Sequence, residues 1–210
     1  MKNRLPLKTA AALAAILILT SCSDAPTKPS AAAEATKEPV KAAEASPAKP
    51  DYWKMYKPVR EWSKDAQLLS MTNKVVPEMK GSGGKEAAWE AVFVSAAKRE
   101  ARKVVYSETD SGSDIRKGVT IGATMVWGGP TREFQPIMNS EFGIDSDAAF
   151  KTASARADSW LKAHPNEKMN MLLAKASHYH TPVWVLSWGD KKSGYVAVVN
   201  ASTGELISPK

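Results

Sequence analysis

Cysteine occurs once in the 210 residues, at Cys22, and histidine three times, at His164, His178 and His180. A single thiol excludes an internal disulfide, and three imidazoles leave little from which to build a metal or catalytic centre. No Gly-x-Ser-x-Gly elbow is present, and the histidines have no identifiable partner carboxylate. Long apolar runs are also missing. Ala10 to Leu19 is the longest, at ten residues, where a membrane-spanning helix needs about 20. Nor is charge of one sign concentrated. The net charge is +7, Lys2, Arg4 and Lys8 supply three of the positives, and the remaining +4 is spread over a mixed surface. A nucleic-acid site would need a clustered basic stripe, so the charge reads as a solvated surface.

What the N-terminus does have is a basic start, the Ala10–Leu19 run and the ending Leu19-Thr20-Ser21-Cys22. Residues 1–21 read as an export signal rather than as part of a fold. The ending resembles a bacterial lipobox, with Cys22 as the lipid-attachment residue; the alternative is an ordinary secretory signal in which Cys22 is incidental. Two or three acyl chains would hold the chain firmly at a membrane surface. Asp after the lipidated cysteine marks retention at the inner membrane in enterobacterial sorting. Ser23 stands there instead, which directs the expectation to the outer membrane, periplasmic or surface face, if the source is Gram-negative. Residues 22–51, rich in Ala, Pro, Lys and Glu with no aromatic, read as a disordered tether.

Residues 52–210 are long enough for one sizeable core or two small ones. Pro182–Trp188 and Tyr195–Asn200 alternate apolar and polar positions around a Gly-rich turn and predict a hairpin. Upstream, the Asp145-Ser146-Asp147 cluster caps a predicted helix carrying Phe150, Ala153, Ala157, Trp160, Leu161 and His164, stopped by Pro165, and Met169–Ala176 predicts a strand. The same order is expected once before. Ser63 or Asp65 would cap a helix through Leu68, Leu69, Thr72, Val75, Val76 and Met79, followed by a flexible Gly81–Gly84 joint. Strands are expected at Ala88–Ser95, Arg102–Ser107 and Gly118–Trp127, although Glu86–Val104 also suits one long amphipathic helix. If the units are repeats, their sheets join edge to edge or the units pack through their helices; the sequence leaves both open.

The segment Val198–Ile207, VVNASTGELI, resembles the closing strand of a PepSY-type domain, with Asn200 where Asp is commoner. The resemblance implies an α+β fold of two tandem units, 52–140 and 141–210, each a helix packed on a short antiparallel sheet in the PepSY or cystatin manner. It also implies a non-catalytic envelope protein without cofactors that binds a protein or peptide partner, by analogy one that inhibits or regulates a peptidase. The competing expectations are a small-ligand or lipid carrier using a groove between helix and sheet, and a structural lipoprotein in outer-membrane assembly.

Seven tryptophans are the compositional surprise. Trp89, Trp160, Trp184 and Trp188 fall on predicted apolar faces and read as core. Trp53 and Trp62, placed before the first predicted helix, and Trp127, beside a Gly-Gly-Pro loop, are the candidates for a partner surface, since Trp is enriched at binding hot spots. His178 and His180, two apart, would share one face of a strand, but a metal site lacks further ligands there. Asp110–Asp114 lacks the terminal Glu of a calcium loop and reads as a turn, and Gly81–Lys85 lacks the Ser or Thr of a phosphate loop.

Overall fold

The computed structural model describes residues 43–190 and 192–207. Cys22 and the tether up to residue 42 lie outside the described residues. Ser46 to Asp51, which composition assigned to the tether, belong to the fold instead. Ser46 makes a two-bond backbone bridge with Glu86, and helix α1 (Ala48–Trp62) begins two residues later. Pro50 misled the reading because proline in a first helical turn removes only an N–H that has no intrahelical partner. Pro58, further in, does forfeit a helical bond, so α1 is held by its buried face of Ala48, Tyr52, Met55 and Val59 rather than by propensity.

The segment predicted as the first helix is strand β1 (Gln67–Lys74). The cause is a bulge between Leu68 and Ser70, which inserts one residue into the pairing with β2 (Ala88–Ser95). Leu68 and Met71, three apart, therefore face the same side, and the alternation of a strand takes on helical spacing. β1 also lies at the centre of the sheet, between β2 and β5. β2, β3 (Glu100–Ser107) and β4 (Gly118–Val126) form an antiparallel meander, so the Glu86–Val104 segment is a hairpin and not one helix.

The second half follows its sequence pattern closely: a 3-10 turn at Asn139–Glu141, then α2 (Ser146–Ala163), β5 (Met169–Ala174), β6 (Val183–Trp188), β7 (Tyr195–Asn200) and the two-residue β8 (Leu206–Ile207). The eight strands make one antiparallel sheet in the order β4-β3-β2-β1-β5-β6-β7-β8. The halves meet edge to edge, with Met71 opposite Leu173 across β1 and β5. Both helices cover the same face, and their buried residues share one core with Trp89, Phe93, Val104, Met171, Trp184 and Leu186. The fold class is α+β, with two helices on a single large sheet.

Helix followed by four strands thus occurs twice, and matching positions make matching contacts. Trp89 and Trp184 are each the second residue of their strand, and each is fully buried. The Trp89 indole N–H donates to the Ser46 carbonyl at 3.1 Å and that of Trp184 to the Ile144 carbonyl at 2.9 Å. Both acceptors lie two residues before a helix begins. Burying each ring contributes on the order of 4–6 kcal/mol as an upper figure, and the indole bond spares a polar N–H that would otherwise be stranded in the core. Trp62 and Trp160 are each the fifteenth residue of their helix.

Candidate functional site

β4 is the outermost strand at one end of the sheet, and among the described residues only β3 pairs with it. Its sequence GVTIGATMV carries no charge and no proline, so of the devices by which proteins ordinarily blunt a free edge it has only a bulge, between Ile121 and Thr124. Val119, Ile121 and Val126 stand opposite Tyr106, Val104 and Glu100 and so share the helix-bearing face, yet α1 packs chiefly over β2 and β3. Val119, Ile121, Met125 and Val126 are all exposed, Val126 at 94 %.

The three candidate tryptophans do not converge. Trp62, half-buried near the end of α1, donates its indole N–H to Glu100 at 3.3 Å and lies under the Arg102 guanidinium, 5.1 Å from the ring centre. Trp127 follows directly on β4, and its backbone N–H donates to the Arg99 carbonyl. These two therefore flank the same end of the β3–β4 edge. Trp53 lies inside α1, not before it, nine residues and so about two and a half turns from Trp62, on the opposite side of the helix. It is 48 % exposed and packs edge-on against Tyr52 and Tyr56.

His178 and His180 lie in the turn after β5 rather than on a strand, and both are exposed. His164 ends α2 and stacks on Trp160 at 4.2 Å. Asp110 accepts the Lys117 backbone N–H within its turn. Gly84 is no flexible joint: it is buried at a φ of +81°, and an added Cβ would lie 2.5 Å from the Ser146 carbonyl oxygen.

A second feature escaped the sequence reading. Between the C-terminal part of α2 and the β1–β2 loop runs a groove of about 680 Å³. Its walls include Val76, Met79, Phe150, Leu161, Met169 and Trp188, and Asn73 and Glu86 also line it. The Asn73 side chain is fixed by the backbone of β5, accepting from the Met171 N–H at 2.8 Å and donating to the Met169 carbonyl at 3.3 Å. Glu86 is only 9 % exposed. Burial pushes its carboxyl up to about 7, against the opposing hydrogen bond from Asn73. No periodicity or motif marks Glu86, which stands between Lys85 and two alanines.

Elsewhere, Asp51 is fully buried and held by Ser46 and by Lys54, whose ammonium also reaches Tyr106 and Glu108. Burial raises the Asp51 carboxyl despite these partners. This network ties the start of α1 to the end of β3.

No protein-family model matches the chain, and no curated protein matches it. One solved structure to which the chain is similar is that of a "putative lipoprotein (CD1622)" from Clostridium difficile 630, at 9% identity and a TM-score of 0.43, covering 79% of this chain and 92% of that one. Among the described residues no helix is long and apolar enough to cross a membrane.

Proposed function

We propose that this chain is a non-catalytic, lipid-anchored envelope protein that captures an extended, apolar segment of a protein partner along β4. The observation that carries the reading is the free, uncharged, nine-residue edge strand with exposed Val119, Ile121, Met125 and Val126. An added strand would draw its affinity from main-chain hydrogen bonds and its selectivity from alternate side chains meeting those apolar residues. Trp62 and Trp127 frame one end of that edge; Trp53 would have no part in it.

Anchoring rests on the lipobox-like Leu19–Cys22 ending, with Cys22 as the attachment residue. The PepSY-like reading, two tandem units of one helix and a short antiparallel sheet, is supported by the repeated element order and the paired Trp89 and Trp184 bonds. On this reading the first unit starts at Ala48. Regulation of a peptidase is the narrower form, and it rests on the resemblance alone.

The test is selection of displayed nine-residue peptides on the mature chain and on a Val119→Lys, Ile121→Lys variant whose circular dichroism matches it. Peptides of alternating apolar pattern that bind the first and not the second are expected. Binding equal on both would refute the edge as the site.

A further inference from the structure

We propose that the groove between α2 and the β1–β2 loop is a separate site for a lipophilic amine, a molecule with one ammonium on an apolar body, with Glu86 as its counter-ion. The volume of about 680 Å³ suits a drug-sized molecule. The walls supply apolar and aromatic surface, notably Phe150 and Trp188, whose rings sit 6.4 Å apart. Asn73 is committed to the β5 backbone and to Glu86, and Glu86 is the buried charged residue of the lining, since Lys80, Glu167 and Lys168 stand exposed at its rim.

Glu86 cannot retreat to solvent. Its own backbone is fixed on both sides by Ser46, and Gly81 lies over its carboxyl so closely that an added Cβ would fall 2.0 Å from Oε2. No cation pairs with it among the described residues, although Asp51, Glu90, Glu108, Glu141 and Asp158 each hold a lysine. A buried carboxylate without a cation is costly. An ammonium entering the groove would supply the missing charge, and the aromatic walls favour a cation over a neutral polar head. A fatty-acid headgroup would meet like charge at the same point.

The other charged or titratable groups lining the groove are Lys80 from the β1–β2 loop, His164 at the end of α2, and Glu167 and Lys168 before β5. Ligand binding favours the ionised carboxylate, so affinity rises as pH rises through about 7.

The experiment is calorimetric titration of the full mature chain with 4-phenylbutylamine, 4-phenylbutanol and 4-phenylbutyrate at pH 6 and pH 8, across which a lysine-like amine stays charged. The amine is expected to bind at least tenfold more tightly than the other two at pH 8 and to weaken about tenfold at pH 6. Glu86→Gln should level the three ligands and abolish the pH step, while His164→Gln keeps both. Leu161→Arg, which puts a long side chain with its own cation into the groove from α2, should abolish amine binding. Equal binding of the alcohol, no saturable amine binding, an amine preference that survives Glu86→Gln, or binding that survives Leu161→Arg would each overturn the assignment.

Discussion

The Asp145 carboxylate accepts the backbone N–H of Lys49 at 2.9 Å, so a residue that caps its own helix also caps one that begins about a hundred residues earlier. Pro47, at the N-cap of α1, has no side chain able to do this. The Ser146 hydroxyl completes the arrangement, accepting from the Ala48 N–H at 2.9 Å and donating to the Gly84 carbonyl at 2.6 Å. The two helix N-termini and the Gly81–Gly84 turn are thereby joined at one point, which is what lets a proline-rich segment start a helix.

Asp145→Ala should therefore cost more than one ordinary cap. Losing a cap costs about 1 kcal/mol, and two helices sharing this one predict about 2 kcal/mol or more. Denaturant unfolding of the mature chain measures it. A loss no greater than that of Asp147→Ala, in the first turn of α2, would show that the shared cap is not structural.

Gly84→Ala and Gly83→Ala separate backbone strain from contact. Both glycines have positive φ, but a Cβ at Gly83 meets nothing within 4 Å, whereas at Gly84 it would fall 2.7 Å from the Phe150 Cβ. Gly83→Ala should cost about 1 kcal/mol, and Gly84→Ala a further 1–3 kcal/mol. Thermal unfolding of the two variants checks the difference.

Trp89→Phe and Trp184→Phe each remove one indole N–H and its bond to a carbonyl, that of Ser46, which keeps the Glu86 N–H, or that of Ile144. Each should cost about 2–4 kcal/mol from the lost bond and the volume left empty. Because the two rings occupy matching places, the two losses should agree within about 1 kcal/mol, as measured by guanidinium unfolding.

Glu86 sets a pH dependence of stability. The folded chain holds its proton up to about 7, while the unfolded chain releases it near 4.3. The folded state is therefore favoured below that lower value and loses this contribution as pH rises toward 7. Glu86→Gln should raise stability by about 1–3 kcal/mol at pH 8 and leave it nearly unchanged at pH 4. Unfolding curves at the two pH values test it.

How far the sequence could be read differed between the halves for physical reasons. Asp145, Pro165 and the clean alternation of Trp184, Leu186 and Trp188 marked α2 and β6 within a residue or two, because that half has no bulge and its turns carry glycine. The first half conceals its elements. Its helix is capped by a residue near the other helix, its central strand is shifted by the bulge at Leu69, and its proline lies where a helix tolerates it. The candidate surfaces divide in the same way. The charge-free run of β4 is visible in the sequence, but its position at the edge is a property of strand order. The groove around Glu86 exists only once α2 and the β1–β2 loop lie side by side.

The most direct measurement is photo-cross-linking in intact cells from a photoreactive residue placed at Ile121, compared with one at Val185 on the sheet face away from the helices. The account predicts a defined adduct from position 121 that maps to an extended apolar segment of one envelope protein and disappears with Val119→Lys. Adducts from position 185 alone, or from 121 unchanged by that substitution, would contradict it.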